Sequence, residues 1–175
     1  YLLTEEPEKA LADFDAVLSE NDDFIEAAYW RGNAYLMLEN YTDAIDDYNH
    51  VLRVTPDALD ARLQRALAYT RNDAPRAAID DYSTIIGQSS RFIDAYLQRG
   101  ALHLEIEDYE NALHDYQAAL SLNDRTVAAW RGSGLAYEGL AADDRAVESY
   151  QRYLALSTEA DSAIKDRLLT LENRS

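Results

Sequence analysis

The histidines are the first side chains to consider for chemistry, because the chain contains no cysteine. They are His50, His103 and His114, and no two stand four residues apart, the spacing that places two metal ligands on one helical face. No glycine-rich phosphate-binding loop is present. The sequence therefore predicts no enzymatic activity, no cofactor and no metal site.

Adjacent aspartates are the second candidates, since they resemble paired carboxylates. They are Asp46-Asp47, Asp80-Asp81 and Asp143-Asp144. The first two pairs recur at an interval of 34 residues, and the third opens a predicted helix, where acids favour the positive end of the dipole. None has the calcium-loop spacing with its central glycine, so we interpret them as structural and surface residues.

Arginine and aspartate recur together at the same interval. The arginines are Arg31, Arg65 and Arg99, and the aspartates are Asp47, Asp81 and Asp115. One interval later both are replaced, by Ser133 and Ser149. An arginine ladder for an anionic ligand is one explanation. The joint loss favours the other, an Arg–Asp pair that clamps two helices, because partly buried charges need partners.

The charge balance limits the class of partner. The chain has 175 residues, 47% of them hydrophobic, and its 16 basic residues face 33 acidic ones for a net charge of −17. Nucleic acid and anionic membranes are therefore poor partners, and a neutral or basic protein or peptide is a better one. The charge could instead only keep the chain soluble. No apolar run approaches the length of about 18 residues that a membrane helix needs.

The elements that carry these residues repeat every 34 residues. Small residues and aromatics each occupy fixed columns, which predicts helices that cross closely beside large rings. The alanine column is Ala10, Ala44, Ala78, Ala112 and Ala146. The aromatic column is Phe14, Tyr48, Tyr82, Tyr116 and Tyr150. A third column is Gly32, Ala66, Gly100 and Gly134. A fourth is Tyr35, Tyr69, His103 and Tyr137.

This pattern resembles the tetratricopeptide repeat over nearly the whole chain. Trp130, Gly134, Tyr137, Ala146 and Tyr150 match the family's order of large, small, tyrosine, alanine and aromatic residues. The departures are local. Arg62 replaces the large apolar residue, His103 replaces the tyrosine, and Ser90, Asp124 and Thr158 replace the terminal proline. The resemblance implies an all-α, right-handed α-α superhelix of antiparallel helix pairs.

The interval predicts four complete repeats, a remnant before them and a cap after them. The repeats are 25–58, 59–92, 93–126 and 127–160; the remnant is 1–24, with its helix near 7–20; and the cap is 161–175. We expect the chain to be a trimmed fragment that begins inside a repeat, with Tyr1 in the tyrosine column. We also expect its N-terminal end to pack against another chain or self-associate, because Leu11, Phe14 and Leu18 lack a preceding helix.

The resemblance also implies a ligand-binding surface, the concave face formed by the first helix of every repeat, here called the first-helix face. Its predicted residues are Tyr29, Trp30, Asn33, Leu63, Gln64, Leu67, Leu97, Gln98, Leu104, Arg131 and Leu135. Its five leucines form an apolar strip that core packing is not expected to require, although they could instead pack against neighbouring first helices. Glu26, Asp60 and Asp94 form an acidic edge that would suit a basic ligand or only compensate helix dipoles.

The family's clamp for acidic chaperone tails is not reproduced here. Of its five positions only Asn33 matches, and Asp94 would repel a carboxylate. The resemblance therefore favours a protein- or peptide-binding scaffold for a neutral or basic segment with apolar anchors. A structural self-assembly module and a regulatory segment of a larger protein are the alternatives.

Overall fold

The computed structural model describes residues 6–158 and 161–173, and these residues form ten α-helices and no β-strand. The chain divides into two compact units, one ending at Ile85 and the other beginning at Ile86. The helices of the first unit are α1 (Pro7–Glu20), α2 (Ile25–Met37), α3 (Tyr41–Val54), α4 (Leu59–Arg71) and α5 (Pro75–Gln88), which crosses the boundary. Those of the second are α6 (Ile93–Glu105), α7 (Tyr109–Leu122), α8 (Val127–Gly139), α9 (Asp143–Leu156) and α10 (Ser162–Glu172).

The helices alternate strictly in length from α2 to α9, with 13 residues in the first helix of each pair and 14 in the second. The short turn within each pair makes its two helices antiparallel neighbours. The predicted all-α class is confirmed. No helix in the described ranges is long and apolar enough to cross a membrane.

The alanine and aromatic columns form the core of each unit. All five alanines are buried, and so are Tyr48, Tyr82, Tyr116 and Tyr150. The small residues are required because the rings lie against the facing helix. A Cβ atom on Gly134 would stand 2.3 Å from Cε1 of Tyr150, which is closer than two non-bonded carbon atoms can approach.

The turn within each pair contains one residue in the left-handed region, and none of these residues is glycine. They are Glu39, Asp73, Glu107 and Ala141, with φ of 61°, 55°, 60° and 55°. The next amide donates to the carbonyl five residues earlier, for example Ala142 N to Tyr137 O at 2.9 Å. This is the Schellman ending of a helix, and it satisfies a terminal carbonyl at the cost of backbone strain.

Replacing Ala141 with glycine is therefore expected to raise the free energy of unfolding by about 0.5–1 kcal/mol, because glycine adopts positive φ without strain. Chemical denaturation measures the change. The same replacement at Ala101, exposed within α6, should lower the free energy of unfolding by about 0.5–1 kcal/mol. If both replacements changed the free energy of unfolding in the same direction, the assignment of backbone strain to the turn would be contradicted.

The last helix covers the end of the second unit. Ile164 and Leu171 of α10 are buried with Tyr150 and Tyr153. Asp161 holds the start of α10, since its carboxylate accepts from the amide of Ile164 at 3.1 Å and the Tyr153 hydroxyl at 3.0 Å. These hydrogen bonds lower the pKa of Asp161. The predicted cap at 161–175 thus contains a packed helix, and its last two residues lie outside the described ranges, as do 159–160 of the preceding repeat.

The first helix of the described residues, α1, packs against α2. Leu11, Phe14 and Leu18 are each half-buried there. Tyr1 lies outside the described residues. Self-association at this end stays a prediction.

Candidate functional site

Three bidentate Arg–Asp pairs join the first and second helices of the hairpins. Nε and Nη2 of each arginine donate to both carboxylate oxygens of the aspartate 16 residues later. The two distances are 2.9 and 2.7 Å for Arg31 with Asp47, 2.8 and 2.6 Å for Arg65 with Asp81, and 2.8 and 2.6 Å for Arg99 with Asp115. The pairing expected from the sequence is present in all three hairpins.

These arginines are committed to internal carboxylates rather than presented to a ligand. Their hydrogen bonds to the aspartates raise the pKa values of Arg31, Arg65 and Arg99 further above the ordinary arginine value. Burial raises the pKa of Asp47, and its bonds to Arg31 oppose that shift. The geometry favours the clamp over the anion-binding ladder, because each buried carboxylate already has its counter-charge.

In the first unit, the residues predicted for the first-helix face include an aromatic pair and two leucines. The rings of Tyr29 and Trp30 meet edge to face with centroids 5.3 Å apart, and Trp30 is 41% exposed. Leu63 and Leu67 on α4 are half-buried. The two first helices α2 and α4 contact each other within this unit.

The predicted polar members of this part of the face differ in their availability. The Tyr48 hydroxyl donates to Oδ1 of Asn33 at 2.8 Å, so Asn33 supports the core as well as bordering the face. Gln64 is half-buried. Glu26 and Asp60 are exposed in the first turns of α2 and α4.

In the second unit, the first-helix face contains an open cavity of about 410 Å³. Leu104 and Leu135 of the predicted strip line it, together with Tyr109, Glu138, Gly139 and Arg167. Gly139 is needed for this shape, since a Cβ atom there would stand 2.5 Å from the Tyr109 ring.

The leucines of the second unit serve the core as well as this face. Leu97 and Leu104 pack against the buried cluster around Ala112 and Tyr116, and Leu135 packs against the cluster around Tyr150. The sequence-based expectation that core packing does not require them therefore holds only for the exposed part of each side chain. The reason is that α6 and α8 contact each other and also pack against their second helices, α7 and α9.

A hydrogen-bonded carboxylate forms the polar rim of this cavity. Oε2 of Glu138 accepts from the Tyr150 hydroxyl at 2.8 Å and from Nη1 of Arg167 at 2.9 Å. Burial and Glu138 together raise the pKa of Tyr150, so its hydroxyl remains a donor at neutral pH. Arg167 offsets the charge of Glu138, and the rim is nearly neutral.

Tyr109, Glu138, Gly139 and Arg167 also line the cavity, although they are not among the residues predicted from the sequence. Glu138 and Gly139 do occupy inward-facing positions of the repeat, but Arg167 comes from α10, outside the repeat pattern. The other predicted residues of this unit do not line the cavity. Arg131 donates to Asp161 at 3.3 Å and so helps to hold α10, while Gln98 and Asp94 are exposed on α6.

In the described ranges, the histidines do not cluster with other side chains that could coordinate a metal ion. In the ranges that the structure describes, no group of three or more histidines and carboxylates could hold a metal ion. His103 is half-buried with Nδ1 3.3 Å from a carboxylate oxygen of Asp108, and His50 lies beside Arg53.

Two family models of the tetratricopeptide repeat match the sequence, one over residues 25–58 and the other over residues 97–161, and together they cover more than half of the chain. No curated protein matches it significantly.

Solved structures with the same fold include MamA, with a TM-score of 0.82 and 23% identity over 88% of this chain and 84% of that chain. YrrB, described as a TPR protein with an unusual peptide-binding site, has a TM-score of 0.82 and 20% identity over 89% and 80%. A tetratricopeptide repeat protein from Parabacteroides merdae has a TM-score of 0.60 and 24% identity over 98% and 67%. With its repeats, its paired helices and these matches, the chain belongs to the tetratricopeptide-repeat family.

Proposed function

We propose that the chain is a protein- or peptide-binding module and that its first-helix face holds apolar side chains of the partner. The observation that carries the proposal is the cavity whose lining combines the apolar groups of Leu104, Tyr109 and Leu135 with the ion pair of Glu138 and Arg167. Its volume of about 410 Å³ lies in the range of about 300–1,000 Å³ that is usual for ligand pockets. The peptide-binding site in the description of YrrB, a protein of the same fold, supports the same role.

The partner segment is extended or helical, with apolar anchors and a neutral or basic charge. Apolar anchors in a desolvated patch supply most interface energy, and rim charges supply little. Glu26, Asp60 and Asp94 are exposed in the first turns of α2, α4 and α6, and the chain carries a net charge of −17. These charges raise the association rate of a basic segment more than its bound lifetime.

The test begins with a peptide selected from a displayed random library and titrated into the chain by fluorescence anisotropy. Ala101 is exposed on α6 and lies between Leu97 and Leu104 on the helical face that they share. Ala101→Glu should weaken binding by more than fivefold, over about 1 kcal/mol, because it places a charge on the apolar face without removing core atoms. Leu97→Glu should weaken binding at least as much and should also lower stability, since Leu97 packs on the Tyr116 cluster.

The matched control is Ala155→Glu, an equal change at an exposed residue of α9, and it should leave the affinity unchanged. Asp60→Asn should weaken binding less than Ala101→Glu, and its effect should shrink as salt rises. A stronger effect from Asp60→Asn would indicate an electrostatic site. Loss of binding in Ala155→Glu alone would place the ligand on the second helices.

A further inference from the structure

The hairpin of α8 and α9 contains a cavity where the other hairpins have their arginine. Ser133 and Ser149, which replace the Arg–Asp pair, are both buried. They border an open cavity of about 280 Å³, whose walls include Trp130 and Tyr137. Since a water molecule occupies about 30 Å³ in the liquid, the space is large enough for the head group of a side chain.

One buried polar atom at this cavity has no internal partner. Ser133 is 2% exposed, and among the described residues its hydroxyl makes no hydrogen bond. Its counterpart Ser149 donates to the carbonyl of Arg145 at 2.8 Å. Leaving a buried hydroxyl without a hydrogen bond is unfavourable, so the Ser133 hydroxyl favours an occupant that carries a polar group.

The repeat shows which group fits this environment. Arg65 at the equivalent position bonds Asn49 of the preceding second helix at 2.7 Å and lies 5.7 Å from the Tyr69 ring centroid. The residues 68 positions after Asn49 and Tyr69 are Gln117 and Tyr137, and both line the cavity. The hairpin of α8 and α9, the fourth, therefore keeps an amide and an aromatic wall like those around the Arg65 guanidinium. It lacks the clamping arginine and its aspartate, which Ser133 and Ser149 replace.

We propose that this cavity binds the guanidinium of an arginine side chain from a partner protein. The planar group lies beside Trp130 and Tyr137 in cation–π contact and donates to the Ser133 hydroxyl and the amide oxygen of Gln117. Glu148 at the mouth supplies the carboxylate that Asp47, Asp81 and Asp115 supply elsewhere. Arg145, also at the mouth, opposes the incoming charge, so the two mouth residues have opposite effects on affinity.

This cavity is distinct from the first-helix face. At 100° per residue, Trp130, Ser133 and Tyr137 lie on one side of α8. Leu135, Glu138 and Gly139, which line the first-helix cavity, lie on roughly the opposite side. An arginine can thus bind here whether or not a peptide occupies the other face, and failure of one proposal leaves the other standing.

The test uses N-acetyl-arginine amide as the probe and NMR spectroscopy of the chain as the readout. Saturable shifts are expected at the Trp130 indole and the Ser133 amide, while the Trp30 indole stays unchanged. N-acetyl-citrulline amide, which has the same shape without the charge, should bind at least fivefold more weakly. Inorganic phosphate should produce no shift at these two groups.

Three variants test which residues of the cavity recognise the guanidinium group. Ser133→Arg with Ser149→Asp rebuilds the internal clamp, so it should abolish probe binding and leave the helical fold intact. Glu148→Gln should weaken probe binding by more than twofold, and Arg145→Gln should strengthen it. Absence of saturable shifts, equal binding of citrulline, binding of phosphate that needs Arg145, or unchanged binding in the rebuilt variant would each overturn the proposal. If the rebuilt variant fails to fold, the opposite signs expected for Glu148→Gln and Arg145→Gln still decide it.

Discussion

Replacing Arg99 with methionine is expected to lower the free energy of unfolding by about 3–5 kcal/mol, the cost of leaving a buried charge without its partner. Asp115 is 1% exposed, and Arg99 provides its bidentate hydrogen bonds from Nε and Nη2. Methionine keeps most of the aliphatic side chain, so the change isolates the charge. Urea denaturation monitored by circular dichroism measures the loss.

The control for this prediction is present in the chain itself. The fourth hairpin has serine at both positions, so Arg99→Ser with Asp115→Ser should cost clearly less than Arg99→Met although it removes more atoms. A loss below about 1 kcal/mol for Arg99→Met, or a double variant less stable than the single one, would show that the pair does not clamp the hairpin.

Replacing Tyr150 with alanine is expected to cost about 3–5 kcal/mol, because its fully buried ring fills the space beside Gly134 and beneath α10. Thermal and urea denaturation would both report the loss. Tyr150→Phe keeps the ring and removes only the hydrogen bond to Glu138, so it should cost about 0.5–1.5 kcal/mol. Similar losses in the two variants would mean that the hydrogen bond, and not the ring, stabilises this end of the unit.

The helix pairs and their core could be predicted because each column has one steric cause. A small residue facing a tyrosine, as at Gly134 and Tyr150, defines where two helices cross. The Arg–Asp pairs could be predicted for a different reason, since Ser133 and Ser149 replace both partners at once. Because both residues of the pair are replaced in the same repeat, comparing repeats within one sequence indicates that the two positions are in contact.

The turns could not be predicted in detail. Glu39, Asp73, Glu107 and Ala141 all have positive φ, yet glycine and asparagine, the usual signals of this conformation, are absent from these positions. The positive φ is imposed by the close packing of the two helices that the turn connects. The conformational preferences of the residues at these positions do not indicate it.

The candidate site was only partly predictable. The position within a repeat identifies Leu104 and Leu135 as facing residues, but the cavity between them also depends on Arg167 of α10 and on Tyr109 at the start of α7. The fraction of each leucine side chain that is buried in the core depends on the distance between neighbouring helices. The sequence pattern does not specify that distance. The unpartnered hydroxyl of Ser133 likewise becomes visible only when the surrounding side chains are placed.

Methyl NMR of the chain with the selected peptide tests whether partners bind the first-helix face. The leucine methyl groups report on both sides of the second unit, with Leu97, Leu104 and Leu135 on the first helices and Leu113 and Leu154 on the second. We expect saturable shifts at Leu97, Leu104 and Leu135, with Leu113 and Leu154 nearly unchanged. Shifts confined to Leu113 and Leu154 would contradict the claim and assign binding to the second helices.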